Sequence, residues 1–407
     1  MLNTPFHPWP SFTQQEADAV SQVLLSNKVN YWTGQEGRQF EQEFADWSDS
    51  QFAVAVANGT LALDLALNAL ELGTGDEVIV TPRTFIASVS SVVNSGAKPV
   101  FADIDADSGN ITAETISAVL TDKTRAIVCV HLAGWPCDMD AIMALAENHD
   151  LYVIEDCAQA HGARYKGRSV GSIGHIGAWS FCQDKIISTG GEGGMVTTND
   201  ERLWRKMWAY KDHGKSYAAV YETEHPPGYR WLHESFGTNW RLPEMQSAIG
   251  RIQLRRMDEW TTRRTLNAQK LIQACEKWTD KGYLRAPRFE CSEQADKSAH
   301  AYYKLYVYIR PENLPKDWSR DRIIEEINNM SVPCYSGSAS EVYLEKAFEG
   351  SGLRPKQRLP IAKQLGETSL MFLVHPTLTE SEIAQSVAAI DSVFSEIDSL
   401  RQSAADQ

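Results

Sequence analysis

Apolar positions along this chain recur with two periods that alternate for most of its first half. Gln14–Leu25 reads as a short helix, and a second follows over Arg38–Trp47, with Phe40, Phe44 and Trp47 at i, i+4 and i+7. Phe52–Val56 is a short, continuously apolar run of the kind a buried strand requires, and Asn58-Gly59-Thr60 then opens a helix over Leu61–Leu72, with Gly73 as its C-terminal cap. That helix is apolar nearly all round, so it belongs between layers. Strands are predicted at Glu77–Thr81, Pro99–Asp103, Arg125–His131, Leu151–Glu155, Gly177–Cys182 and Gly194–Thr198. Helices are predicted at Thr84–Asn94, Met139–Asn148 and Glu201–Lys211. Strands alternating with helices of this length imply crossover connections and a mostly parallel sheet covered on both faces. Ligands of such sheets gather at the carboxyl ends of the strands.

The second half reads differently. A polar, aromatic stretch over Ser216–Phe236 precedes one long predicted helix, Glu244–Glu276. A strand at Tyr302–Ile309, a helix at Asp321–Met330, a short strand at Val332–Tyr335 and a closing helix at Glu380–Leu400 make a small α+β unit. At 407 residues the chain is long for one core. The expected division is residues 1–255 as the large domain, with the N-terminal segment, and residues 256–407 as the small one.

Composition narrows the classes without choosing among them. Hydrophobic content of 43% and charged content of 23% are those of a soluble globular protein. A formal charge of −14 argues against a general nucleic-acid or anionic-membrane binder. No apolar run approaches the ~20 residues that span a bilayer, and the first residues lack the basic flank and apolar core of a secretory signal. The seven cysteines are scattered with no paired CxxC spacing, which reads as reduced thiols in a cytoplasmic protein. The ten histidines show no ligand spacing such as HExxH, so no metal site is expected.

Chemistry enters at Gly177-Ala178-Trp179-Ser180-Phe181-Cys182-Gln183-Asp184-Lys185, followed by the glycine-rich Gly190–Gly194. An apolar strand delivers a lysine to a turn, where desolvation favours the free amine a Schiff base needs. Upstream, Tyr152-Val153-Ile154-Glu155-Asp156-Cys157-Ala158-Gln159 puts an aspartate at the end of a buried strand. Each feature alone has a dull reading: a surface lysine, a capping aspartate, a helix-initiating Asn-Gly-Thr, a core phenylalanine. Gly190–Gly194 lacks the Lys-Ser/Thr of a P-loop. Together, however, they meet the needs of pyridoxal 5'-phosphate. Lys185 would attach the coenzyme, and Asp156 would keep its ring nitrogen protonated. Gln159 would donate to the ring hydroxyl, Gly59, Thr60 and Ser180 would hold the phosphate, and Phe85 would cover the ring.

With these residues in place, the sequence resembles the sugar aminotransferases of the DegT/DnrJ/EryC1/StrS family. These belong to the aspartate-aminotransferase-like fold type I of pyridoxal phosphate enzymes, an α/β fold. The resemblance is carried by Val56–Thr60, Pro82–Phe85, Pro99–Asp105, Glu155–Gln159, Ser180–Lys185, Gly190–Gly194, Gly237–Arg241 and His375–Thr379, in order along nearly the whole chain. It implies an obligate homodimer with shared active sites, in which Asn239 reaches the coenzyme phosphate of the partner subunit. It places His213 and Arg241 near the substrate. It implies ping-pong transfer of an amino group from L-glutamate to a keto- or aldehydo-sugar, with pyridoxamine 5'-phosphate as the intermediate carrier. Lys185 then serves as attachment point and proton carrier. Lysine rather than histidine at position 185 favours transamination over the family's sugar dehydratases. Nucleotide-linked keto sugars are the expected acceptors, an 8-oxo-Kdo-type octulosonate another, feeding envelope polysaccharide, lipopolysaccharide or secondary metabolism. A non-catalytic regulatory protein on the same fold stays an alternative. Met371–His375 and Ser216–Phe236 depart from the family pattern and are expected to shape the acceptor pocket.

Overall fold

The computed structural model describes residues 5–289 and 297–405. Its centre is a seven-stranded sheet in the order Phe52–Val56, Gly194–Thr198, Ile176–Ser180, Tyr152–Asp156, Thr124–Val130, Glu77–Val80, Lys98–Phe101. Gly194–Thr198 is antiparallel to both of its neighbours, and every other pairing is parallel. Six strands therefore end at one edge, and the ends of Phe52–Val56, Tyr152–Asp156 and Ile176–Ser180 bring Asn58, Asp156 and Ser180 to that edge. The parallel strands are buried along most of their length, as their unbroken apolar runs require.

A second sheet, wholly antiparallel, runs Leu284–Arg285, Leu305–Ile309, Ser369–Phe372, Cys334–Tyr335. Its own core includes Leu271, Trp278, Val307, Ile323, Phe372, Val374 and Phe394. The two units share surface: Met257 and Trp260 pack into the core beneath the large sheet, and Tyr308, Ala362 and Leu365 pack with Ile79 and Ile127.

Three sequence expectations are corrected. The helix after the first strand spans Gly59–Ala69, because the Asn58 side chain accepts the Leu61 N–H and starts it earlier. It ends in a Schellman turn, with the Glu71 N–H on Asn68 O and the Leu72 N–H on Leu67 O. The left-handed residue is thus Glu71 (φ 59°), not Gly73. The long helix predicted over Glu244–Glu276 is two, Glu244–Leu254 and Met257–Asp280. No proline or glycine marks the break; at it, Arg256 reaches the buried Glu16, at 2.7 Å, and Thr13 and Gln15. Met371–His375 does not line the candidate pocket: Ser369–Phe372 is an inner strand of the small sheet, and Phe372 and Val374 fill that domain's core.

Candidate active site

The helix predicted from Thr84 begins only at Ala87, which leaves Thr84 and Phe85 on the preceding turn. That turn, the Asn58–Thr60 turn and the strand ends at Asp156 and Ser180 enclose a cavity of about 550 Å³, with Gln159, Asp184, Lys185 and Glu192 also in its wall.

Asp156 is 4% exposed and accepts the Ser88 hydroxyl at 2.7 Å and the Ala158 N–H at 3.1 Å. Thr84 Oγ1 steadies Ser88 at 2.7 Å. Burial raises the Asp156 carboxyl above its ordinary range, against the pull of Ser88, Ala158 and Lys185. A carboxylate so desolvated, with neutral hydrogen-bond donors, is suited to a protonated ring nitrogen. Beneath it, Glu155 accepts N–H groups from Gly171, Ile173 and Gly174 and faces His131 Nε2 at 3.0 Å, while the Cys137 N–H donates to His131 Nδ1. His131, Glu155 and Cys157 lie close enough to hold a metal ion. The Glu155 oxygens and both His131 nitrogens are already engaged, and the cluster props the strand that carries Asp156.

Gln159 accepts the Ala133 N–H on Oε1 at 2.8 Å, which leaves Nε2 to donate. Phe85 is 68% exposed, a large aromatic ring left uncovered in a cavity wall. At the helix start, Gly59 and Thr60 are among the first N–H groups, which have no acceptor within the helix. A Cβ on Gly59 would stand 2.5 Å from Ser180 Cβ and 2.9 Å from its Oγ. Glycine there is required for this close approach, which leaves a cradle of N–H and hydroxyl donors at the positive end of a helix. Gly194 answers a similar need, since a side chain would strike the Asn58 carbonyl. The glycine run therefore lets the antiparallel strand lie against the cradle. In Gly59→Ala the overlap should cost about 1–3 kcal/mol, or roughly 5- to 150-fold in coenzyme Kd, read by absorbance titration.

The Lys185 side chain is 17% exposed, with Nζ 3.3 Å from Asp184 Oδ1 and 5.4 Å from the centre of the Tyr303 ring. Trp9 Nε1 donates to the Lys185 carbonyl at 2.8 Å and tethers its turn to the N-terminal segment. These features fit pyridoxal phosphate: an amine, a buried anion for the ring nitrogen, an amide donor, an aromatic face and a phosphate cradle share one cavity.

The structure thus brings Lys185, Asp156, Gly59, Thr60, Phe85, Gln159 and Ser180 together. It does not bring Asn239, His213 or Arg241 to this cavity. Asn239 and His213 are exposed, and Arg241 pairs with the buried Asp212 at 2.6 Å. Nor does any residue of Ser216–Phe236 line it. That stretch holds a short helix, Tyr217–Tyr221, and the exposed rings of Tyr229, Trp231 and Phe236. Sequence reading missed Ser88, Thr84, Tyr303 and Trp9. It could have flagged Asp184, which adjoins the lysine.

The profile of the DegT/DnrJ/EryC1/StrS aminotransferase family matches residues 10–391. The chain belongs to this family, and it is an enzyme, an aminotransferase. It is 33% identical over 398 residues to GDP-perosamine synthase of Escherichia coli O157:H7, across 95% of this chain and 98% of the relative. Its fold superposes on the X-ray structure of the aminotransferase from Psychrobacter cryohalolentis with a TM-score of 0.96. The two are 77% identical, over 97% of this chain and all of the other. The crystal structure of S. venezuelae DesV in complex with a ketimine intermediate matches with a TM-score of 0.79 and 31% identity, over 93% of each chain. No helix among the described residues is long and apolar enough to cross a membrane.

Proposed function

We propose that this aminotransferase uses pyridoxal phosphate to move an amino group from L-glutamate to a keto- or aldehydo-sugar, in two alternating half-reactions. The observation that carries the reading is the convergence of Lys185 and the buried Asp156 on one cavity beside the Gly59–Ser180 cradle. When bound there, the coenzyme supplies an aldehyde for amines and a ring that accepts the electrons left as a proton departs. The Gly59 and Thr60 N–H groups and the Ser180 hydroxyl would hold the phosphate. Asp156 would keep a proton on the ring nitrogen, Gln159 Nε2 would donate to the ring hydroxyl, and Phe85 would exclude water from one face. Lys185 would hold the coenzyme and then carry a proton between the amino-bearing carbon and the coenzyme.

A nucleotide-linked keto sugar is the acceptor that the name of the E. coli relative supports. Asn239, exposed and not among the residues that line its own chain's cavity, is suited to reach the cavity of a second copy in a homodimer, with His213 and Arg241 beside it. A division at 255/256 is supported by the break between the helices Glu244–Leu254 and Met257–Asp280, and the six described cysteines, all free, suit a reducing cytoplasm. The test is to load the protein as the pyridoxamine form and add candidate acceptors, watching the visible band return. A nucleotide-linked keto sugar should restore it within seconds. Return of the band with an 8-oxo-octulosonate alone would reassign the acceptor, and no return with any sugar would refute sugar transamination.

A further inference from the structure

Asp184 borders the same cavity, yet none of the coenzyme-holding roles falls to it. Its Oδ1 lies 3.3 Å from Lys185 Nζ, and its Oδ2 accepts the hydroxyl of Tyr303, which is buried. Tyr303 is fixed in turn: its N–H donates to Ala133 O at 2.8 Å, and the Ala133 N–H donates to Gln159 Oε1 at 2.8 Å. A line of polar contacts thus leaves the cavity at Gln159, crosses the Leu132–Gly134 turn to Tyr303, and returns through Asp184 to Lys185.

The charges around Lys185 make this contact consequential. Lys304 is the neighbouring cation, and His161, pushed down to about 3 by burial, stays neutral. Asp156 is engaged by Ser88 and Ala158. The Asp184 side chain is 60% exposed; what desolvation it has opposes a charge, but Lys185, Tyr303 and Lys304 hold its carboxyl below the usual range, so it is an anion at neutral pH.

We propose that Asp184, oriented by the Tyr303 hydroxyl, is a positioning residue that stabilises Lys185 in its proton-carrying ammonium state and aims Nζ into the cavity. The carrying role rests on the transamination reading above; the contact does not. The proton taken from the amino-bearing carbon would become the third N–H of Nζ, and the electron pair of the broken C–H bond would pass to the bound coenzyme's ring, the electron acceptor it supplies. The same ammonium then returns a proton to carbon as a new C–H bond forms, and the amine is restored. Asp184 accepts no proton in this cycle. It supplies the counter-charge for the interval in which Nζ is positive, and Tyr303 keeps its second oxygen from turning away.

Two measurements test this. In the coenzyme-free full chain at pH 8, acetic anhydride labelling of Lys185 is followed by peptide mass spectrometry. Asp184→Asn should speed labelling about 3- to 10-fold, since the amine and not the ammonium is the nucleophile, and Tyr303→Phe should speed it less. In the holoprotein, Asp184→Asn should slow the amino-acid half-reaction about tenfold. In a Lys185→Ala background rescued with methylamine, the same change should alter the rate by less than about twofold. Unchanged labelling, or an equal loss in both backgrounds, would overturn the proposal; a purely structural role predicts the equal loss. Tyr303→Phe, which removes one hydroxyl, carries the same tests should Asp184→Asn fail to fold. A wild-type chain that takes up no coenzyme would instead refute the coenzyme reading, while the labelling arm still judges the Asp184–Lys185 contact.

Discussion

Asp156→Asn is expected to keep its coenzyme and to run each half-reaction roughly 10- to 100-fold more slowly. The amide preserves the shape of the side chain and an oxygen for the Ser88 hydroxyl, so the cavity wall and the 2.7 Å contact should survive. The negative charge is lost. A hydrogen bond to a charged group contributes about 1.5–3 kcal/mol, and each 1.36 kcal/mol is tenfold in rate. The loss falls on the step in which the ring accepts electrons, because the nitrogen no longer has an anion to keep it protonated. Coenzyme affinity should change far less, since the Gly59–Ser180 cradle and the lysine are untouched. Stopped-flow absorbance with L-glutamate measures the step directly. A wild-type rate in the variant would remove Asp156 from the mechanism.

Lys185→Ala carries the larger expected effect. The variant should show no absorbance from covalently held coenzyme, and turnover should fall by roughly 10⁴-fold, at the upper end of what one acid–base group contributes. Folding should persist: the Nζ is partnered by Asp184 at 3.3 Å, and the backbone of the turn is held independently by the bonds from Lys185 N to Cys182 O and from Trp9 to Lys185 O. Circular dichroism matching wild type, together with lost activity, separates chemistry from misfolding. Partial rescue by added methylamine would place the loss at the missing amine.

Much of this was legible in the sequence for physical reasons. Short buried runs bounded by turn residues stand out, so Phe52–Val56 and Gly194–Thr198 could be bounded to the residue although both lie in antiparallel pairings. Gly59, Asp156 and Ser180, proposed to hold the coenzyme, sit at a helix start and at strand ends, and Lys185 on the turn that follows, where local sequence fixes geometry. What could not be read depends on distant residues. The break in the long helix lies where Arg256 pairs with Glu16, far away in sequence. Ser369–Phe372 is too short to announce itself as an inner strand and is defined by its neighbours Leu305–Ile309 and Cys334–Tyr335. Tyr303 reaches Asp184 only once the small domain has docked. Asn239, His213 and Arg241 have no local signature either; their roles came from family resemblance, and in the single chain they do not line the cavity.

The most direct test of the central claim is chemical. Treat the holoprotein with borohydride, digest it, and map the peptide that carries the reduced coenzyme. The account predicts one tagged peptide, with the added mass on the ε-amine of Lys185. A tag on any other lysine, or no tag on protein that holds the coenzyme, would contradict it.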